Sequence, residues 1–342
     1  MSWLPPDDDE EDDGFGFDES DVRVRPNPKG NRPRTKTRPE HGDAVVGRVL
    51  SVDRGRYTVM LHEDDADEHV ITTTRARELR REAIVTGDRV DVVGDTTGDE
   101  GTLGRIVRIR PRTTLLRRSA DDTDQVERVV VANADQLMIV IAAADPEPRA
   151  RLVDRYLVAA YDAGIAPLLV VTKTDLADPG PFLANFAGLD VRVLRSARGA
   201  WPIDELAPIL DGHATVAVGH SGVGKSTLVN ALVPGTDRAV GHVNAVTGRG
   251  RHTSSSTVSL RVPTGGWIID TPGVRSFGLG HIDVANVLRA FTDLAEVAED
   301  CPRGCTHLAD APDCALDEAV AEGRLRADRV EDFRRLLASL AG

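Results

Sequence analysis

The fold of the central part of this chain is decided by the stretch Thr215-Val216-Ala217-Val218 followed by Gly219-His220-Ser221-Gly222-Val223-Gly224-Lys225-Ser226-Thr227. An apolar run that ends in G-x-x-x-x-G-K-S and opens a helical pattern predicts a strand, a phosphate-binding loop and a helix. The glycines let backbone N–H groups converge on a phosphate, and the helix N-terminus adds partial positive charge. We expect Lys225 to reach the outer phosphates, Ser226 to ligate Mg²⁺, and His220 to be an outward-facing position rather than a catalytic group.

A second phosphate motif follows 45 residues after Lys225. Trp267-Ile268-Ile269-Asp270-Thr271-Pro272-Gly273 is an apolar strand that ends in D-x-x-G. We expect Asp270 to hold Mg²⁺ through water and Gly273 to offer its backbone N–H to a γ-phosphate. After a phosphate-binding loop at this distance, the motif is typical of a nucleoside triphosphatase.

A third motif selects the base. Leu168–Val171 is an apolar run followed by Thr172-Lys173-Thr174-Asp175, which is T-K-x-D. The Asp175 carboxylate is expected to accept from the two guanine N–H donors that adenine lacks, while the Lys173 stem packs on the purine. Ser196-Ala197 is the matching loop over the guanine oxygen. The alternative for Asp175 is a helix N-cap.

The order of the motifs is unusual. In ordinary GTPases the phosphate-binding loop comes first, whereas here T-K-x-D and Ser196-Ala197 precede it. The sequence therefore predicts a circularly permuted GTPase domain. Because the chain leaves that domain soon after D-x-x-G, the C-terminal segment is attached to the element that responds to γ-phosphate.

The loop Gly248-Arg249-Gly250-Arg251-His252-Thr253-Ser254-Ser255-Ser256 suits a first switch. Thr253 is the candidate for closing over Mg²⁺ and the γ-phosphate. Val274 follows Gly273 where many signalling GTPases place a water-orienting Gln. Hydrolysis then needs another group, and His252 is the candidate, the alternative being a solvated loop histidine. We expect a slow GTPase that a partner activates.

Near the C-terminus, Cys301, Cys305, His307 and Cys314 supply three thiolates and an imidazole. A Cys₃His set is a closed tetrahedral zinc site, which a small terminal domain uses in place of a large core. The alternative is free buried cysteines. Three cysteines cannot form a paired disulfide framework, which favours a reducing cytoplasm.

The N-terminal third contains a charged tail and a β-rich module. Residues 7–21 hold ten acids and residues 22–38 hold seven basic residues, so residues 1–42 are predicted to be a disordered tail, either a solvated tail or an RNA-contacting arm.

Five β-rich runs in residues 43–112 predict a small barrel, with an OB-fold favoured and an SH3-like barrel as the alternative. These runs are Val45–Val52, Tyr57–Leu61, His69–Thr74, Arg89–Val93 and Thr102–Ile109.

Charge and hydropathy limit the possible partners. The net charge of −13 does not exclude RNA, because residues 101–120 carry six arginines and no acid. The alternative is a structural barrel with solvated arginines. The longest apolar run has eight residues, 137–144, which excludes a membrane-spanning helix.

From residue 113 to 290, strands alternate with amphipathic helices, which predicts an α/β domain with a mostly parallel sheet. Residues 291–342 are predicted to form a small helical domain around the Cys/His cluster, ending in a helix over Asp328–Leu340.

With permuted motifs, an upstream barrel and a downstream Cys/His cluster, the chain resembles the RsgA family of ribosome small-subunit-dependent GTPases. The resemblance runs from about residue 43 to the C-terminus, and G-R-G-R-H-T at 248–253 and D-T-P-G-V at 270–274 are specific to it. It implies an OB-fold, a permuted GTPase domain and a zinc domain. Family roles map onto Thr172–Asp175 and Gly219–Thr227 for the nucleotide, and onto the three cysteines and His307 for zinc.

The resemblance also implies GTP hydrolysis that the small ribosomal subunit stimulates during its late maturation. The expected cofactors are GTP/GDP, Mg²⁺ and one Zn²⁺, and the expected partner is the small subunit with its rRNA. We expect a cytoplasmic monomer without membrane contact. The chain departs from the family in its long charged tail and in its cluster spacing, where three residues separate Cys301 from Cys305 and six separate His307 from Cys314. The family usually has four and five.

Two other functions agree with the same motifs. A metal-delivery GTPase would hand metal from the Cys/His cluster to a client and would have no rRNA affinity. An RNA-binding assembly factor would use GTP as a structural ligand without turnover. The barrel and its arginines favour RNA over the first, and the complete set of phosphate motifs argues against the second.

Overall fold

The structure is a computed structural model that describes residues 41–79, 82–119, 127–235, 257–272, 277 and 279–340. The chain divides into two units, residues 1–40 and 41–342, and the described residues belong to the second. The predictions for the charged tail, for His252 and Thr253, and for Gly273 lie outside the described residues.

Among the described residues, five strands close into a barrel. They are β1 (Val45–Asp53), β2 (Arg56–Leu61), β3 (His69–Arg75), β4 (Arg89–Gly94) and β5 (Gly104–Ile109). Their order is β1-β2-β3-β5-β4, and pairing of β1 with β4 completes the circle. The β3–β5 pair is parallel, so the order is that of an OB-fold, which confirms this prediction over the SH3-like alternative.

The barrel closes because alternate residues of each strand are apolar and point inward. Its core contains these buried side chains: Val49, Val59, Leu61, Ile71, Val90, Val92 and Ile106. Arginines on the same strands fall on the outer face, as at Arg105 and Arg108 of β5.

The GTPase domain has a mostly parallel sheet, as predicted. Its strands are β8 (Gln136–Ala142), β9 (Ala166–Thr172), β10 (Arg192–Arg195), β11 (Ala214–Val218), β12 (Val258–Arg261) and β13 (Trp267–Asp270). They lie in the order β10-β9-β8-β11-β13-β12, parallel except that β12 runs antiparallel to β13. The helices between them are α1 (Ala150–Asp162), α2 (Gly180–Leu183), α3 (Ile203–Leu210) and α4 (Lys225–Leu232).

Three strands were not predicted from the sequence pattern. A separate hairpin of β6 (Leu115–Ser119) and β7 (Glu127–Ala132) follows the barrel. Strand β12 pairs with β1 through Ser51 and Val258, so hydrogen bonding runs continuously from the GTPase sheet into the barrel. All three are short, since β6 has five residues, β7 six and β12 four.

The described C-terminal residues form four helices, of which the first and the last pack against α1. They are α5 (Val284–Arg289), α6 (Thr292–Ala298), α7 (Ala315–Ala321) and α8 (Ala327–Ala338), the last close to the predicted helix. Edge-on aromatic contacts join Tyr156 of α1 to Phe277 (centroids 5.8 Å apart) and Phe291 to Phe333 of α8 (5.4 Å), so one hydrophobic core is shared with the GTPase sheet. The predicted domain boundary near residue 291 stays a prediction. Within the described part of the chain, no helix has the length and apolar character to cross a membrane.

Candidate functional site

The phosphate-binding loop lies at the carboxyl end of β11, where parallel strands present ligands in α/β sheets. It passes close to β8, because a Cβ at Gly219 would lie 2.4 Å from the carbonyl oxygen of Val140. Gly222 and Gly224 have φ of +82° and +92°, a conformation that side chains disfavour. The loop therefore needs glycine at these positions, and α4 begins directly after it at Lys225.

The two phosphate motifs meet because β11 and β13 are parallel neighbours, with Ala217 opposite Asp270. The Lys225 ammonium forms an ion pair with the Asp270 carboxylate, and both side chains are largely buried. Thr271 donates its hydroxyl to the carbonyl oxygen of Ala217 at 3.1 Å, which holds the two strand ends together. A lysine and a carboxylate placed together at this edge are the groups that bind a phosphate and its metal ion.

The base-selecting motif follows β9 and contacts the phosphate-binding loop. Thr172 is 1% exposed, and its hydroxyl oxygen lies 2.6 Å from the carbonyl oxygen of Val223. Lys173 has a φ of +55° and donates its ammonium to the carbonyl oxygen of Asp145. Asp175 is exposed and accepts from the backbone N–H of Arg198 at 2.9 Å.

The Ser196-Ala197 loop lies beside T-K-x-D. The backbone N–H of Thr174 donates to the carbonyl oxygen of Ser196 at 3.1 Å, and the backbone N–H of Ser196 donates to the carbonyl oxygen of Val171 at 2.8 Å. Ser196 is buried, and its hydroxyl lies 3.2 Å from the carbonyl oxygen of Ala200. The structure thus brings together the predicted base-binding residues, although helix α2 and strand β10 lie between the two motifs in the chain.

The residues of the phosphate-binding loop and of the start of α4 differ in exposure. Val223 is buried against β9, whereas the following polar residues are exposed at the open edge of the sheet: His220, Ser221, Ser226 and Thr227. Exposed polar groups around a lysine leave room for a bound anion. His220 faces outward, as predicted from the sequence.

Three contributors to this site were missed from the sequence. Asp145 supplies the carbonyl that Lys173 binds, and Pro146 approaches the loop at Gly222. The tip of the Trp201 ring lies 3.5 Å from where a Cβ on Gly224 would be. Asp145 follows the carboxyl end of the central strand β8, and this position is a signal from which its role could have been predicted. Trp201 gave no such signal, since a tryptophan after a loop is ordinarily interpreted as a core residue.

The Cys/His cluster forms a compact set of ligand atoms in the loop between α6 and α7. One ligand atom from each of Cys301, Cys305, His307 and Cys314 lies within 4.8 Å of the other three. The Sγ of Cys301 is 3.6 Å from His307 Nδ1, and that of Cys314 is 4.0 Å from it. Zinc–ligand bonds of about 2.0–2.3 Å require ligand atoms separated by distances of this order, so the four residues fit a tetrahedrally coordinated zinc ion.

The surroundings of the cluster favour the protonation state that binds a metal at His307 and oppose that state at Cys301. Burial and then the Arg334 guanidinium lower the pKa of His307, which keeps the imidazole neutral. Burial, together with the thiols of Cys314 and Cys305, raises the pKa of Cys301 to about 11. A divalent cation reverses the second effect, because its charge stabilises thiolates.

Arg334 of α8 is a supporting residue for this cluster. Its Nε donates to the carbonyl oxygen of His307 at 2.9 Å, and its two terminal nitrogens bind the Asp317 carboxylate at 2.8 Å each. The His307 backbone has a φ of +57°, and this contact holds it there. The cluster is therefore fastened to two helices of the C-terminal region.

Comparisons with known proteins agree with this arrangement. The RsgA GTPase family model matches residues 109–280. A Pseudomonas aeruginosa protein named small ribosomal subunit biogenesis GTPase RsgA is 42% identical over 311 residues, covering 87% of this chain and 86% of that protein. A protein of the same name from Azotobacter vinelandii is 43% identical over 270 residues, 75% of each chain.

Solved structures show the same architecture. YjeQ from Thermotoga maritima superposes with a TM-score of 0.64 at 26% identity, covering 87% of this chain and 99% of that one. YloQ, described as a circularly permuted GTPase, gives 0.63 at 25% identity, covering 88% and 96%. With its phosphate and base motifs joined in permuted order at one sheet edge, this chain belongs to the RsgA GTPase family and is a GTP-hydrolysing enzyme.

Proposed function

We propose that this protein hydrolyses GTP to GDP and phosphate on the small ribosomal subunit, late in maturation of that subunit. The relatives' names support the partner. The observation that carries the chemistry is the hydrogen bond from Thr172 to Val223, which places the base motif against the phosphate-binding loop. One nucleotide then spans both motifs.

In this proposal the guanine edge is bound by Asp175, with Lys173 against the purine and Ser196-Ala197 over the guanine oxygen. Thr172 and Thr174 hold these residues in place by hydrogen bonds to Val223 and Ser196. The phosphates lie in the backbone cradle from Gly219 to Gly224, with Lys225 on the outer phosphates. The remaining contacts to phosphate come from His220, Ser221, Ser226, Thr227 and Gly273.

Mg²⁺ would be held by Ser226 and Thr253, with Asp270 acting through water. When bound, the ion supplies charge neutralisation of the outer phosphates. Asp270 pairs with Lys225, so both groups already lie where the outer phosphates and the ion would bind. His252 is proposed to assist hydrolysis, and this role rests on its place in the sequence beside Thr253.

The barrel is the proposed rRNA-binding module. The side chains of Arg108 and Arg110 are 64% and 45% exposed, and Arg105 is exposed beside them. Tyr57 is the only Phe, Trp or Tyr in residues 43–112, and it is buried in the barrel core. Because no such ring is available for base stacking, we propose that the barrel binds phosphates and sugars of folded rRNA rather than stacked single-stranded bases.

The cluster of Cys301, Cys305, His307 and Cys314 is proposed to hold one structural Zn²⁺. The compact donor set and the arginine that fastens it support this role. Four protein ligands leave no open coordination position, so the ion stabilises the loop rather than performing chemistry. We further propose that the protein acts as a monomer in the cytoplasm, where the subunit matures.

The test is GTP hydrolysis by the zinc-loaded protein with and without purified small ribosomal subunits, with Lys225→Ala as the blank. We expect strong stimulation, and a further comparison with His252→Ala then tests that residue. No stimulation with intact binding would remove the subunit as activator and favour the assembly factor without turnover. Absence of rRNA affinity together with zinc that transfers to a client would favour metal delivery.

A further inference from the structure

The Glu63 carboxylate contacts residues of both the barrel and the GTPase sheet. Glu63 lies in the loop after β2 and accepts from the indole N–H of Trp267 in β13 at 2.6 Å and from Nε of Arg48 in β1 at 3.0 Å. Arg89 of β4 pairs with the same carboxylate, and Arg261 of β12 lies 4.0 Å from it. We refer to these five residues as the Glu63 cluster.

Two arginines of the cluster also contact the ring of Trp267. The guanidinium carbons of Arg48 and Arg261 lie 5.1 Å and 5.2 Å from the ring centroid, within cation–π distance. The ring is 4% exposed, and Arg48 is 7% exposed. A buried indole is thus held by one arginine from the barrel and one from the GTPase sheet.

Backbone contacts attach the barrel at the same place. Strand β1 pairs with β12 through Ser51 and Val258, and the Thr86 hydroxyl donates to the carbonyl oxygen of Thr257 at 3.2 Å. The barrel therefore contacts β12 through its backbone and β13 through the Trp267 side chain.

The short strand β13 connects this attachment to the phosphate site. It contains only Trp267, Ile268, Ile269 and Asp270, so the two ends are about 10 Å apart. Trp267 at the first position binds Glu63, and Asp270 at the last position pairs with Lys225. The attachment of the barrel and the carboxylate of the phosphate site therefore lie at the two ends of one four-residue, fully buried strand.

From these contacts we propose that Glu63 couples docking at the barrel to the Asp270–Lys225 pair through Trp267 and β13, and so acts as a positioning residue for stimulated hydrolysis only. As far as the docking partner is concerned, this inference rests on the proposed function. Coupling between two sites is reciprocal, so nucleotide bound at Lys225 must also alter the barrel. That reciprocal effect can be measured without any ribosomal partner.

Glu63→Gln is the discriminating change. Glutamine keeps the shape of the side chain and an oxygen that accepts from Trp267, but it removes the negative charge among Arg48, Arg89 and Arg261. In this variant Asp64 and Glu68 still pair with Arg261. The buried Arg48, however, then lies beside the positive charge of Arg89 without the carboxylate that both arginines share. We expect the contact between barrel and sheet to loosen while each part stays folded.

The matched control is Glu100→Gln, the same chemical change at an exposed position in the β4–β5 loop of the barrel. Trp267→Phe is a second variant, because it removes the indole N–H donor and keeps an aromatic ring between the two arginines. Thermal unfolding of each variant checks that it is folded.

The first measurement is hydrogen exchange of residues 45–61 in the free protein, with GDP and with a non-hydrolysable GTP analogue. In the wild type and in Glu100→Gln we expect exchange rates that differ by about tenfold between the two nucleotides, within the usual range of coupling between sites. In Glu63→Gln and Trp267→Phe we expect the difference to disappear. Exchange that is independent of nucleotide in the wild type, or a difference that persists in both variants, overturns the proposal.

The second measurement is hydrolysis with and without small ribosomal subunits. We expect Glu63→Gln to keep its unstimulated rate and its affinity for subunits and to lose about tenfold in stimulation. Equal losses in unstimulated and stimulated rates would mark Glu63 as merely structural and overturn the inference. If the wild type itself is not stimulated, the proposed function fails, while the exchange experiment still decides the coupling.

Discussion

The hydroxyl oxygen of Thr172 lies 2.6 Å from the carbonyl oxygen of Val223, although the two residues are 51 positions apart in the chain. The same hydroxyl lies 3.1 Å from the carbonyl oxygen of Ile141 at the end of β8. One buried side chain therefore ties the base motif, the phosphate-binding loop and the central strand together. This contact sets the spacing between the base and phosphate ends of the nucleotide site.

Replacing Thr172 by valine removes the hydroxyl at nearly constant volume. The buried carbonyl oxygen of Val223 then loses its partner, which costs about 1–3 kcal/mol in the free energy of unfolding. We expect GTP affinity to fall by about tenfold, since that is the equivalent of 1.4 kcal/mol in the same contact. Titration with a fluorescent GTP analogue and urea unfolding measure the two effects. Thr172→Ser keeps the hydroxyl and is the control, and wild-type affinity in the valine variant would contradict this role.

Asp175→Asn tests the base assignment. An amide can accept from only one of the two guanine N–H donors, and its own N–H₂ faces the other, so GTP affinity should fall by about 100-fold, the loss expected when buried polar partners are mismatched. Xanthosine triphosphate offers a carbonyl where guanine has an amino group, and its affinity should rise. The backbone contact from Arg198 is retained by the Asn oxygen. Competition binding with GTP and xanthosine triphosphate gives the ratio of the two affinities, and an unchanged ratio would contradict base binding by Asp175.

Removal of metal should destabilise the C-terminal helices first. A ligand that binds only the native state adds about 4 kcal/mol of stability when its free concentration is 1,000 times Kd. Because α8 shares its core with α1, we expect the melting temperature of the whole described unit to fall on chelation. Metal analysis should give one zinc per chain in the wild type and none in Cys314→Ser. Unchanged melting after complete zinc loss would refute a structural ion.

His69 should make stability depend on pH. Its Nδ1 lies 2.6 Å from the carbonyl oxygen of Asp67, and its Nε2 lies 2.7 Å from that of Thr96. Two carbonyl acceptors require two N–H donors, so these backbone hydrogen bonds, the one to Asp67 first, raise the pKa of His69 in the native state. The stabilisation is therefore complete below the unfolded histidine pKa of about 6.5 and is lost as pH rises through the raised native pKa.

Urea unfolding at pH 5.5 and pH 8 measures this effect as a difference between wild type and His69→Gln. The variant should be less stable than the wild type at the lower pH, and the gap should narrow at the higher pH. His62→Gln is the control, because His62 stacks on His69 with centroids 5.9 Å apart but lies outside these two hydrogen bonds. A gap that is constant with pH would show that the ring does not carry the second proton.

Much of the fold could be predicted from the sequence because its signals are local. Glycines at 219, 222 and 224 and the lysine that follows them define a loop whose backbone geometry excludes most other residues. The alternation of apolar and polar residues and the turn residues between the runs predicted the five barrel strands, and the four metal ligands lie within one short loop. In each case the residues that specify the structure are neighbours in the chain.

Only the tertiary structure decided which distant residues meet. Glu63 and Trp267 are 204 residues apart and touch because β12 pairs with β1, which no local pattern of the short run Val258–Arg261 indicates. Likewise, Asp145 contributes to the base site because β8 lies between β9 and β11. Strand order brings such side chains together. The order results from burying all strands at once, so it belongs to the whole molecule rather than to any one segment.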